Sequence, residues 1–196
     1  MAEILVFHHI LGLTPGVQAF ADDLRAAGHT VHLPDQYAGR RFDSIEAGAA
    51  FTGGPEAPDA DAVADAMVAD LPTGLVYVGI SFGVMQAQRL AQTRPGASGA
   101  VLLESCLPIT GEWAFGPWPD GVPVQIHGMD ADPFFAGEGD IDAARAIVAA
   151  VPDAELHLYP GDTHLFEDSS LPSYDEDAAR LVRARLLEFL ERVDRA

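Results

Sequence analysis

The chain has 196 residues, 48% of them hydrophobic, which is enough for one complete core and short for two, so a single domain over residues 1–196 is expected. Thirty acidic residues against eleven basic ones give a formal net charge of −19. Such a surface repels phosphate backbones and anionic bilayers, so neither nucleic acid nor membrane is an expected partner. All eleven cations are arginine, which excludes Schiff-base chemistry and lysine-centred phosphate loops; the absence of asparagine excludes N-glycosylation and a Cys-His-Asn site. The single cysteine, Cys106, cannot form an internal disulfide, and Met1-Ala2-Glu3 leads directly into "ILVF" with no signal-peptide pattern. A cytoplasmic location is the expectation.

In chain order, "EILVFHH" (3–9) reads as a buried strand, followed by a helix over 13–28 with Val17, Phe20 and Leu24 on one face and Gly28 at its end. "HTVHLP" (29–34) is the second strand. Residues 34–58 carry four glycines and three prolines and read as a long loop that covers or lines something. A helix over 58–71 has Val63, Met67 and Leu71 inward. "GLVYVGI" (74–80) is a third strand, handing over through Gly79-Ile80-Ser81-Phe82-Gly83 to a helix over 83–94. "GAVLLE" (99–104), "VPVQIH" (122–127) and "AELHLY" (154–159) supply three more strands, with a helix over 140–151 before the last. A final helix is expected to start at a capping box of Ser173 and Glu176, with Leu181, Leu186 and Leu190 on its apolar face.

Strands that are apolar throughout and alternate with helices imply a mainly parallel sheet of about six strands with helices on both faces, a three-layer α/β fold. Function then belongs at the carboxyl ends of the strands. Serine between two glycines where a strand meets a helix is the pattern of a nucleophile elbow, in which a sharp turn needs small neighbours. After the strand 122–127 comes "GMDADPFF", and after the last strand "PGDTHLFED". Serine, acid and histidine at successive strand ends follow the chain order of an α/β-hydrolase triad: Ser81 as nucleophile, His164 as base and Asp132 or Asp130 as the acid. Pro133 forces Asp132 into an extended backbone, which favours it over Asp130. His127 reads as a strand-end support for that acid, while His29, His32 and His157 read as structural. The oxyanion donors would be the amides of Phe82, at a helix start, and of Ile10, in "HHILGL". Trp113, Phe115 and Trp118 lie in 104–121, a segment that could wall a pocket or simply pack locally.

At these residues the chain resembles the dienelactone hydrolase family. "VFHHILGLTPGVQAFADDLRAAGHTVHLPDQYAG" is similar to the family's opening, "GISFG" to its elbow, "HGMDADPFF" to its acid loop and "YPGDTHLFED" to its base loop. The resemblance implies an α/β-hydrolase fold and a hydrolase of esters or lactones that uses no cofactor and no metal. The best-known members carry a cysteine nucleophile where this chain has Ser81, and a glutamate where it has His9, which agrees with a serine mechanism and weakens dienelactone itself as substrate. The resemblance also implies His9 and Arg40 as substrate contacts, the latter one residue out of register with a family arginine that holds a substrate carboxylate. A thioesterase or peptidase on the same triad, and a non-catalytic binding relative, are the alternatives.

Overall fold

A computed structural model describes residues 1–195. Its six strands are β1 (Glu3–Phe7), β2 (Thr30–His32), β3 (Leu75–Ile80), β4 (Gly99–Leu103), β5 (Val124–Met129) and β6 (Ala154–Tyr159). They form one sheet in the order β2-β1-β3-β4-β5-β6, every pair parallel. Six α-helices accompany them: α1 (Pro15–Ala26), α2 (Ile45–Thr52), α3 (Ala60–Val68), α4 (Val84–Thr93), α5 (Asp140–Ala150) and, after the last strand, α6 (Glu176–Val193).

The two faces of the sheet carry two separate apolar cores, and the strand alternation sorts side chains between them. Ile4 and Val6 of β1 with Val76, Val78 and Ile80 of β3 meet α1 and α6 on one face. Leu5 and Phe7 with Leu75 and Tyr77 meet α3, α4 and α5 on the other. Each such fully buried aliphatic side chain contributes roughly 1.5–3 kcal/mol. Because α1 and α4 follow the adjacent strands β1 and β3 yet pack on opposite faces, their loops diverge. That divergence makes the carboxyl edge between β1 and β3 the switch point of the sheet, where a crevice is expected.

Several helix details differ from the sequence reading. The segment 34–58 is not all loop, because Ser44 caps α2 by accepting the amide of Ala47 at 3.2 Å. Gly48 sits inside that helix because a Cβ there would lie 2.5 Å from the carbonyl oxygen of Ile10. The same glycine that makes the segment read as irregular thus lets α2 press against the loop after β1. The cap of α6 is Asp175, which accepts the amide of Ala178, and not Ser173, whose hydroxyl donates to the carbonyl of Leu165. On α6, Val182 is buried and Leu181 exposed; on α3, Ala64 and Val68 are the fully buried positions, and Val63 and Met67 only partly so. Trp118 belongs to the second core and donates its indole N–H to the carbonyl of Val122, while Trp113 is exposed.

Candidate functional site

Strand β3 ends at Ile80, and Ser81 takes φ +48°, a left-handed conformation that strains a residue with a side chain. A single tight turn, 81–83, then feeds α4. The flanking glycines answer to contact distances. A Cβ on Gly79 would lie 2.5 Å from the Cα of Val84, and one on Gly83 would lie 2.3 Å from the carbonyl oxygen of Phe7 at the end of β1. The serine between them is thereby held at the crevice edge, with the amide of Phe82 in the first turn of the helix, where no carbonyl four residues back can accept it.

Two chain-distant segments meet it there. The Ser81 Oγ lies 2.8 Å from His164 Nε2, and His164 Nδ1 lies 2.7 Å from Asp132 Oδ2. Asp132 is fully buried, and its other oxygen accepts the amide of Phe134 at 2.8 Å. An ionised carboxylate can only accept, so Nδ1 carries the imidazole proton and Nε2 is left bare to accept the serine hydroxyl. The Phe134 ring, 4.6 Å from the imidazole between centroids, shields one side. Asp130 is exposed and accepts the amide of Gly161 instead, so it ties the acid loop to the base loop rather than reaching His164.

The remaining sequence candidates fall differently. His127 is not a support for the acid: its Nδ1 accepts from the Tyr159 hydroxyl at 2.8 Å and its Nε2 donates to Gln125 Oε1 at 2.9 Å. Burial, with His157 and Arg185 adding to it, pushes its pKa well below the usual histidine value. His9 is likewise not a substrate contact, because it is fully buried with both nitrogens engaged. Its Nδ1 accepts the amide of Leu11 and its Nε2 donates to Asp168 Oδ2 at 2.8 Å. Burial pushes the Asp168 carboxyl up, but hydrogen bonds from His9, Ser170 and Thr14 outweigh it and hold the group down at about 2. His9 and Asp168 therefore tie the loop after β1 to the segment after His164. Ile10 sits between His9 and Leu11, in a turn also closed by the Gly12 amide on the His9 carbonyl at 3.0 Å. Arg40 is exposed, lies over the Phe51 ring and pairs with Glu56 at 3.3 Å.

Beside Phe82 lies a cavity of about 390 Å³, lined mainly by Tyr37, Ala49, Ala57, Pro58 and Met85, with Gln36 and Thr52 the polar exceptions. Among the described residues, no charged side chain lines it. Cys106 is buried, and burial with the nearby Asp140 raises its thiol pKa above the usual value. The sequence reading also missed Glu104, one residue past β4, whose carboxylate accepts the amides of Leu165 and Phe166 at 2.9 Å each. The one cue was a charged residue closing an otherwise apolar strand.

The family model for the dienelactone hydrolase family matches residues 1–194. No curated protein matches the chain. Among solved structures, the fold is similar to a dienelactone hydrolase-like promiscuous phosphotriesterase from metagenomic libraries, with a TM-score of 0.75 and 16% identity over 98% of this chain and 87% of that one. It is also similar to Thermogutta terrifontis esterase 2 phosphonylated by sarin, at 0.68 and 18% over 98% and 84%. A thioesterase domain from the curacin biosynthetic pathway matches at 0.62 and 17% over 95% and 90%. At these identities the structures speak to fold alone.

Proposed function

The chain belongs to the dienelactone hydrolase family, and from that premise we propose that it is a cofactor-free serine hydrolase of small, uncharged carboxylic esters or lactones. The observation that carries the reading is the unbroken relay from Ser81 through His164 to buried Asp132, at 2.8 Å and 2.7 Å. His164 takes the Ser81 proton as Oγ attacks the acyl carbon, and Asp132 stabilises the imidazolium that forms. The proton passes from Nε2 to the leaving oxygen as the acyl–oxygen bond breaks; in a lactone that oxygen stays tethered to the acyl group. Water, deprotonated by the same nitrogen, then cleaves the acyl-enzyme. The tetrahedral oxyanion is met by the amides of Phe82 and Ile10.

The preference for uncharged substrates follows from the uncharged cavity beside Phe82 and from the net charge of −19, which raises the local potential against anions. A substrate carboxylate at Arg40 would have to displace Glu56. The test is labelling with a fluorophosphonate followed by peptide mapping, together with turnover of neutral and carboxylate-bearing p-nitrophenyl esters, simple lactones and an acyl thioester. The adduct is expected on Ser81, with neutral short-chain oxygen esters and lactones turned over best. Absence of an adduct means a binding protein on this fold, and a dominant thioester rate means a thioesterase.

A serine mechanism also separates activity from the lone thiol. Iodoacetamide is expected to leave turnover intact, because a buried thiol with a raised pKa offers almost no thiolate, and Cys106→Ala is expected to change kcat by no more than about threefold. Inactivation by iodoacetamide that Cys106→Ala relieves would place the thiol in contact with the reagent and the site.

A further inference from the structure

Behind the His164 loop lies a pair of carboxyl groups that the relay does not use. Glu104 follows β4 with φ +62° and is fully buried; its own amide donates to the carbonyl of His127 at 2.7 Å. Its two oxygens accept the amides of Leu165 and Phe166, the residues directly after His164, at 2.9 Å each. Leu165 itself holds φ +58°, so the turn that presents the imidazole is strained and needs a fixed partner. Next in the chain, Glu167 is also buried, and beyond its own backbone amide neither of its side-chain oxygens meets an N–H or hydroxyl donor among the described residues. The side chain that bears most directly on Glu167 is the Glu104 carboxyl.

Two ionised carboxylates cannot face each other in a dry interior, and an orphaned buried carboxyl is equally costly. One proton resolves both problems. Glu104 already spends its oxygens on two amide donors, which suits the ionised form, so the proton belongs on Glu167, whose O–H donates to a Glu104 oxygen. We infer that Glu104 and Glu167 are a proton-sharing carboxyl pair that positions His164 by holding the amides of Leu165 and Phe166, and that hydrolysis at Ser81 depends on the pair keeping its single proton. Both are positioning residues, since neither touches the reacting atoms. The inference rests on the hydrolase reading above.

The sign of the pH dependence follows from the surroundings. Burial, then the closeness of the two carboxyls, hold the pair's shared proton well above the usual carboxylate range. The other charged or titratable groups that bear on the pair are Asp132 from the segment after β5, His164 from the same loop and His9 from the turn after β1. A raised carboxyl pKa means that the proton is present at neutral pH and is lost as pH rises through the folded value. The pair then becomes two repelling anions, and the loop is released at alkaline, not acid, pH.

The test combines NMR and kinetics on the full chain. In the wild type, the amide protons of Leu165 and Phe166 are expected to shift together in one alkaline step, and kcat for p-nitrophenyl acetate to fall over the same step with KM steady. Glu167→Gln keeps a donor for Glu104 but cannot titrate, so both the step and the fall should vanish. Glu167→Leu, which removes the donor, should not be rescued in this way. Glu104→Gln turns an amide group toward one of the two N–H donors and should lower kcat about 10- to 100-fold at neutral pH. An alkaline step that survives Glu167→Gln, or an unchanged kcat in Glu104→Gln, overturns the inference. Should the variants not fold, the carboxyl resonances of ¹³C-glutamate wild type decide: one protonated carboxyl at neutral pH supports the pair, and none overturns it. If Ser81 takes no fluorophosphonate label and no ester turns over, the hydrolase reading fails, while the amide and carboxyl titrations still decide whether the pair exists.

Discussion

Replacing Ser81 or His164 by alanine is expected to lower kcat by on the order of 10⁴- to 10⁶-fold, and the double variant to be little worse than either. The reason is the contact itself. A hydroxyl 2.8 Å from a bare Nε2 is nucleophilic only while that nitrogen can take its proton, so losing either member removes the same step. On the proposed mechanism, binding and the amides of Phe82 and Ile10 are expected to survive and to leave a residual rate above water. Steady-state kinetics on a p-nitrophenyl ester, with folding checked by circular dichroism, measures the effect. Losses that multiply in the double variant would mean that Ser81 and His164 act independently and would overturn their assignment as one unit.

The parts of this site that were legible in the sequence are those written in strand order and glycine spacing. Six apolar runs alternating with helices give a parallel sheet, and a parallel sheet puts the ends of β3, β5 and β6 along one edge, so Ser81, His164 and an acid, Asp132 favoured over Asp130, could be grouped before any distance was known. Gly79 and Gly83 were readable for the same reason, because only close approach of β1, β3 and α4 requires two glycines around one serine. Other features depend on contacts between residues far apart in the chain, which periodicity does not encode. Helix α2 was hidden by Gly48, a helix breaker by propensity that is required by the carbonyl of Ile10. His9 looked available because it lies at a strand end; its partner, Asp168, is 159 residues away. Ser173 and Asp175 both suit an N-cap, and the Leu165 carbonyl takes the first of them. Glu104 carries no motif at all, since its meaning lies in two amides 61 and 62 residues further on.

Asp132→Asn is expected to cost roughly 10³- to 10⁴-fold in kcat, while Asp130→Asn should stay within about tenfold. The larger effect follows from which atom faces which. Asp132 Oδ1 accepts the Phe134 amide at 2.8 Å and Oδ2 accepts His164 Nδ1–H at 2.7 Å. In asparagine only one oxygen remains, and the Phe134 amide, a fixed backbone donor, holds it at the first position. The side-chain NH₂ is then turned toward His164, where it can donate but not accept. Nδ1 must lose its proton to receive that bond, the neutral imidazole carries its hydrogen on Nε2, and Nε2–H cannot accept the Ser81 hydroxyl. Asp130, by contrast, is exposed and gives one oxygen to the Gly161 amide, a bond that an asparagine oxygen can also make. The measurement is kcat for both variants on a neutral p-nitrophenyl ester, with the His164 tautomer read from its ¹⁵N ring shifts. A severe Asp130→Asn defect beside a mild Asp132→Asn one would transfer the acid's role to Asp130, while an unchanged tautomer in Asp132→Asn would show that the carboxylate acts on His164 through charge alone.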